Sequence, residues 1–173
     1  MSEDAGLSVA DWVTTIVCLL LQVLLAPHIA IAGTMPLFLL VPLFCVAVSS
    51  SMTVAVVFGF LLGFLYDLGT GEAMGVMSLA FTVAAAGVQL LGVDGDGAGV
   101  NPLVTIAAVV VVQLLQGILL GIAGYADSAG YIIVHCILLG SLYNGIITLA
   151  GMALIRAISN RKAPVNGPSR RLR

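Results

Sequence analysis

The stretch GFLLGFLYDLGTGEAMGVMSL, residues 59–79, places two apolar runs on either side of a short polar turn. Asp67 and Glu72 lie in this turn, in a chain of 173 residues of which only 8% are charged. Gly59, Gly63 and Asp67 recur every four residues and therefore share one face of a helix. Small residues at this spacing allow helix backbones to approach closely. The stretch predicts two helices joined by a polar turn, with a glycine face suited to packing by another helix.

Composition indicates which solvent surrounds the chain. It is 61% hydrophobic with a mean hydropathy of +1.19, whereas a soluble domain carries about 25% charged residues. Water-soluble folds are therefore excluded, and an integral membrane protein is expected. Because every backbone polar group within lipid must be paired internally, the predicted fold class is all-α, a compact bundle of transmembrane helices.

The first apolar run is predicted to be a retained span rather than a signal peptide. Its leader, MSEDAGLSVAD, has no Lys or Arg, whereas a signal peptide begins with a basic region. Ser8 and Asp11 have the spacing of a capping box, which predicts a helix that starts near Val9. Residues 1–8 are then an N-terminal tail that precedes a transmembrane domain over residues 9–157.

The apolar runs divide that domain into about six spans, since a span needs about 20 apolar residues. The predicted spans lie near residues 9–26, 34–49, 52–67, 73–92, 102–124 and 129–157. The second contains Pro36 and Pro42, which membrane helices tolerate when their neighbours satisfy the freed carbonyls. Because this segment is also short, five spans with a re-entrant second segment is the alternative.

The basic residues predict the orientation. All six lie in the last 18 positions, and Lys or Arg beside a span holds that flank in the cytoplasm. The C-terminus is therefore predicted to be cytoplasmic, and an even number of spans places the N-terminus there too. The basic tail, residues 158–173, is expected to lie near anionic lipid headgroups, with docking of a cytoplasmic partner as the alternative. Nucleic acid is not an expected partner.

Asp67 has three candidate roles. It could cap the next helix through the free amides of residues 71–73, where a negative charge is stabilised. It could instead contact a partner's donor or a cation, or take part in ion translocation. We favour the cap. Gly71 and Gly75 repeat the four-residue spacing as the chain turns back, and Glu72 is expected to be solvated.

A related string, GILLGIAGYADSAG, occupies residues 117–130. Gly117 and Gly121 correspond to the earlier glycine pair, and Asp127 corresponds to Asp67 with a small offset. The likeness is compatible with an internal duplication or with chance in an apolar sequence. In either case a second glycine-lined helix predicts a compact bundle.

Amides and hydroxyls are scattered through the apolar runs. Asn144 lies in the last span, and Gln22 and Gln89 lie in the first and fourth. Buried groups of this kind usually bond helix to helix. The alternative is a small-molecule pocket inside the bundle, because polar side chains there could hold a polar ligand.

No residue pattern indicates catalysis, a cofactor or a metal. His28 and His135 are not paired with carboxylates at any ligand spacing. The loop VDGDGAGVN, residues 93–101, begins like a calcium loop but lacks its closing Glu. Nucleophile–base pairs and phosphate-binding loops are also missing from the sequence. We therefore expect a non-enzymatic protein.

The entry to the second span and the stretch quoted at the outset resemble the bacterial rod shape-determining protein MreD family. Gln22 ends the first span, and APHIAIAGTMP leads through Gly33 to Pro36, as in the family's Gly–x–x–Pro entry to its second span. GFLLGFLYDLGTGEAMGV is similar to the family's Gly–x–x–x–Gly–x–x–x–Asp run. The resemblance covers most of the chain; the basic tail and the Gly/Asp loop depart from it.

The resemblance implies a scaffold of the cell-elongation machinery in the bacterial inner membrane. Such proteins bind the bitopic protein MreC within the membrane. Through MreC they connect MreB filaments to the glycosyltransferase RodA and to a class B penicillin-binding protein, and so help to organise lateral peptidoglycan synthesis. The residues expected to pack helices or contact a partner are Gln22, Gly33, Pro36, Gly59, Gly63, Asp67, Gly71, Gly75, Gly117, Gly121 and Asn144.

The alternative is a substrate-binding membrane subunit of an energy-coupling factor vitamin transporter. Those subunits also have about six short spans, and the MreD family is similar to them in fold. They couple through Ala–x–x–x–Ala faces, for which Ala26 with Ala30, and Ala80 with Ala84, are faint candidates. Their longer outer loops and additional aromatic residues are not matched by a chain that is 6% aromatic.

Overall fold

Helices form almost all of the regular structure. The computed structural model describes residues 7–31, 34–71, 73–91, 101–124, 130 and 132–162. Within these ranges the α-helices are α1 (Val9–Leu24), α2 (Leu40–Ser49), α3 (Met52–Thr70), α4 (Val76–Leu91), α5 (Pro102–Ile122) and α6 (Ser141–Lys162). A 3₁₀ turn, Ala26–Ile29, follows α1, and a π-helical segment, Ile132–Gly140, leads into α6. The predicted all-α membrane fold is confirmed.

Helix lengths fall into two classes. The ranges Met52–Thr70, Pro102–Ile122 and Ile137–Ile158 are long and apolar enough to cross a membrane, whereas α1, α2 and α4 are shorter apolar helices. These helices lie within or close to the predicted spans, and the number of crossings stays a prediction. The clearest difference concerns the second segment, where helix was expected from residue 34 and α2 begins only at Leu40.

The beginnings of two helices follow from their local sequence. Ser8 and Asp11 form a capping box in which the Asp11 amide donates to Ser8 Oγ over 3.2 Å and the Ser8 amide donates to Asp11 Oδ2 over 2.9 Å. This places the start of α1 at Val9, as the spacing predicts. Asn101 accepts from the Leu103 amide over 3.0 Å, and Pro102 occupies the first turn of α5, where its missing N–H costs nothing.

The short helix α2 lies at the centre of the bundle. It packs against α1, α3, α4 and α6, and most of its residues are buried, among them Leu40, Leu43, Phe44 and Val46 at 0% exposure. Ten residues rise about 15 Å, half of the hydrocarbon thickness. The ends of α2 therefore lie among other helices and need hydrogen-bond partners supplied by the protein.

The outer surface is apolar. Large hydrophobic side chains on α1, α3 and α5 are half exposed or more, for example Val9 at 80% and Leu103 at 73%. In water such a surface would drive aggregation. It suits a bundle surrounded by lipid, where contact between apolar side chains and acyl chains carries no penalty.

Candidate functional site

The glycine face of α3 is filled by α4. Gly59 and Gly63 are buried, and a Cβ added to Gly59 would lie 2.9 Å from the Phe81 carbonyl oxygen. A Cβ on Gly63 would overlap the Met77 carbonyl. These two glycines therefore bring α3 and α4 into backbone contact within the chain, so this face is not open to a partner helix.

Asp67 caps α4 from the end of α3. Its side chain is 1% exposed. Oδ2 accepts from the Gly75 amide over 2.9 Å, from the Ser78 amide over 3.2 Å and from Ser78 Oγ over 3.1 Å, while Oδ1 accepts from the Met77 amide over 3.1 Å. Both oxygens are engaged, and the negative charge lies at the positive end of the α4 dipole.

The donors to this carboxylate differ from the expected ones, which were the amides of residues 71–73. Gly71 adopts φ 67°, a left-handed conformation suited to glycine, and its amide donates to the Asp67 backbone carbonyl over 3.2 Å. This closes α3 and sends the chain through a further turn, in which Gly75 has φ 95°. Since α4 begins at Val76, its free amides lie later in the sequence than expected. Glu72 lies outside the described residues.

The segment between the 3₁₀ turn and α2 is held by side chains from both ends of the chain. Gln22 of α1 donates from Nε2 to the Pro36 carbonyl over 2.9 Å and accepts at Oε1 from the Phe38 amide over 2.8 Å. Asn144 of α6 accepts at Oδ1 from the Leu37 amide over 2.6 Å. Gln22 is 8% exposed and Asn144 is 0% exposed. Three of the predicted site residues therefore meet here; Gly33 lies outside the described residues.

These bonds explain why α2 begins late. Pro36 has no N–H and disfavours helical geometry in the residue before it. The next two amides, of Leu37 and Phe38, are satisfied by Asn144 and Gln22 rather than by a preceding helical turn. Hydropathy alone could not distinguish this apolar segment from a helix, because hydropathy does not report which groups the backbone amides bond to.

Gln89 secures the other end of α2. Its Nε2 donates to the carbonyls of Ala47 and, over 2.6 Å, of Ser50. Tyr143 adds a bond from α6 to the turn after α1, where its hydroxyl donates to the Ile29 carbonyl over 2.9 Å. Buried amides were predicted to bond helix to helix. In the structure these side chains bind backbone groups at the ends of other helices rather than side chains along them.

The second glycine pair lies on α5, where Gly117 is buried and Gly121 is half-buried. Asp127, its predicted counterpart to Asp67, lies outside the described residues. Among the residues that the structure describes, the buried polar atoms without a hydrogen-bond partner are Gln113 Oε1, Ser141 Oγ, Asn144 Nδ2 and Thr148 Oγ1. Within the described ranges, no three His, Cys, Asp or Glu side chains come together as a metal site would require.

An apolar groove of about 980 Å³ runs between α1 and α6, with α2 as its floor. We refer to it as the α1–α6 groove. Asp11 and Ile158 lie at one end, and Leu21 and Phe38 lie towards the other. Its lining residues are Ser8, Val9, Ala10, Asp11, Val13, Thr14, Val17, Cys18, Leu21, Phe38, Val41, Cys45, Ile147, Ala150, Gly151, Leu154, Ile155 and Ile158. Sequence reasoning missed this groove, because it depends on the spacing between two helices that are distant in sequence.

Comparison with known proteins gives one match. The family described as rod shape-determining protein MreD matches residues 8–158, which include all six helices except the end of α6. No curated protein and no solved structure matches the chain.

Proposed function

This chain belongs to the MreD family of rod shape-determining membrane proteins, and we propose that it acts as a non-enzymatic scaffold of the bacterial cell-elongation machinery. The family match over residues 8–158 is the observation that carries the proposal. In this role the chain would help to organise lateral peptidoglycan synthesis without carrying out a reaction itself.

The polar side chains support a scaffold. Asp67, Gln22 and Gln89 each form hydrogen bonds with backbone groups outside their own helices. Groups used in this way hold a bundle in shape, whereas a catalytic group must be within reach of a substrate. The arrangement favours a rigid body that presents outer surfaces to other membrane proteins.

The proposed direct partner is an MreC-like bitopic protein, which would connect the chain to MreB, RodA and a class B penicillin-binding protein. The chain would lie in the inner membrane as a multi-pass protein, with its C-terminus and N-terminus in the cytoplasm. Arg156, exposed near the end of α6, is compatible with this orientation. The basic residues beyond it would lie near anionic lipid headgroups.

Depletion in a rod-shaped host tests the proposal. We expect cells to round up as the protein is lost, and an affinity-tagged chain to recover the MreC-like protein from detergent extracts. A tagged, unrelated six-span protein at equal expression is the control for recovery. Cells that keep their shape but need an added vitamin would contradict the scaffold and favour the transporter subunit.

A further inference from the structure

The α1–α6 groove remains open because α1 has few neighbours. It packs mainly on α2 and on the 3₁₀ turn that follows it. Its residues Val13 and Val17 line the groove and are 55% and 49% exposed. The opposite wall is formed by α6, where Leu154 is 61% exposed. The result is a trough that is walled by two helices and faces the lipid.

We propose that the α1–α6 groove docks one transmembrane helix, that of a single-span protein with a basic cytoplasmic flank. This inference rests on the proposed function, since it assigns a location to the expected bitopic partner. It also replaces the glycine face of α3 as the expected interface, because Gly59 and Gly63 are covered by α4.

The size of the groove fits a helix. The 16 residues of α1 rise about 24 Å, and a helix with its side chains is about 10 Å wide. Half of a cylinder with these dimensions occupies about 900 Å³, close to the 980 Å³ of the groove. A helix laid lengthwise and sunk to its axis would therefore fill it.

Small side chains in the groove permit close approach. Thr14 and Cys18 on α1, Cys45 on α2 and Ala150 on α6 all line it. In lipid, helix association depends on packing and carbonyl contact rather than on the exclusion of water, so small residues favour a helix as the occupant.

The negative charge of Asp11 at one end of the groove indicates that the docked helix has a basic flank at that end. Asp11 lines the groove at the end predicted to be cytoplasmic, and single spans carry their Lys and Arg at that flank. A basic residue there would lie beside the Asp11 carboxylate and fix the depth of insertion.

Two matched substitutions on α1 test the site in the full chain. Val17 lines the groove, whereas Val23, which is 61% exposed, does not. We expect Val17→Trp to lower recovery of the MreC-like protein by about tenfold or more, and Val23→Trp to leave recovery within about twofold of wild type. Equal recovery by the two variants would overturn the proposal.

The charge is tested by Asp11→Asn, which keeps an acceptor for the Ser8 amide and removes the negative charge. We expect about threefold lower recovery of the same partner, with no further loss when the partner's basic flank residue is also neutralised. Unchanged recovery of the partner from Asp11→Asn would overturn the proposal that its basic flank lies beside Asp11.

A crosslinking experiment avoids any loss of folding in these variants. A photoreactive phenylalanine analogue is placed at Val17 or at Val23 in the full chain, in cells. Crosslinking to the MreC-like protein from position 17 alone supports the proposal. Crosslinking from position 17 to a second copy or to phospholipid would overturn it. If the wild-type chain recovers no MreC-like protein at all, the proposed scaffold function itself fails. If the wild-type chain recovers this protein but the two α1 positions behave alike, only the assignment of the groove fails.

Discussion

Removal of the Asp67 carboxylate is expected to weaken the bundle more than removal of any exposed charge. In Asp67→Ala the buried amides of Met77 and Ser78 lose their acceptors, while the Gly75 amide lies in an exposed turn where water can replace the bond. An unsatisfied buried donor costs about 1–3 kcal/mol. Two such donors give a loss of about 4 kcal/mol in the free energy of unfolding.

The conservative variant is expected to lie between this value and wild type. In wild type both carboxylate oxygens of Asp67 accept from backbone amides. Asn at position 67 keeps one acceptor oxygen, but its NH₂ group replaces the other oxygen and would face a backbone N–H. We expect a loss of about 2 kcal/mol for Asp67→Asn. Asp11→Ala, which removes part of an exposed capping box on α1, is the control and is expected to cost about 1 kcal/mol.

Thermal unfolding of the detergent-purified protein measures these differences. Cys18 is buried and Cys45 is half-buried, and both are free thiols, so a thiol-reactive fluorophore reports their exposure. For a protein of this size, 1 kcal/mol shifts the midpoint by about 2–4 °C. Asp67→Ala should therefore lower it by about 10 °C and Asp11→Ala by about 3 °C. A midpoint for Asp67→Ala no lower than that of Asp11→Ala would refute the cap as a major contribution to stability.

Three further predictions use the same assay. Gly63→Ala should lower the free energy of unfolding by about 2 kcal/mol or more, because α4 must shift away. Gly69→Ala, on the same helix with open space around it, is the control and should raise it by up to about 1 kcal/mol. The reverse order of stability would contradict the close packing of α3 on α4. Gln22→Ala should cost about 2–4 kcal/mol by leaving a buried amide and carbonyl unpaired. Gln89→Ala should cost about 2 kcal/mol because the carbonyls at the end of α2 lose their donor. For either glutamine variant, an unfolding midpoint equal to that of wild type would show that its hydrogen bonds do not stabilise the bundle.

The sequence was sufficient to predict the all-α membrane fold but not the pairs of groups that hold its helices together. A four-residue period places Gly59 and Gly63 on one face, because it reflects geometry within a helix. Which helix covers that face depends on the turn after it, where Gly71 and Gly75 both take positive φ values. The same turn moved the capped amides away from residues 71–73, even though Asp67 was correctly expected as the cap.

The late start of α2 shows a different limit. Residues 34–39 are mostly apolar and run directly into the helix that follows, so hydropathy assigns them to one span. The deciding bonds come from Gln22 and Asn144, and the second of these is separated from its partner Leu37 by 107 positions. No local pattern encodes that pairing. Likewise, the α1–α6 groove depends on how far the first and last helices stand apart.

The positions of the bonded polar residues follow from the short helices they serve. A helix that is too short to cross the hydrocarbon has its free amides or carbonyls within it, where each unpaired group is costly. The start of α2 is paired by Gln22 and Asn144, its end by Gln89, and the start of α4 by Asp67. Each bond crosses to another helix and therefore also sets how two helices are oriented. Short helices thus require polar side chains, and those side chains fix the helices against one another.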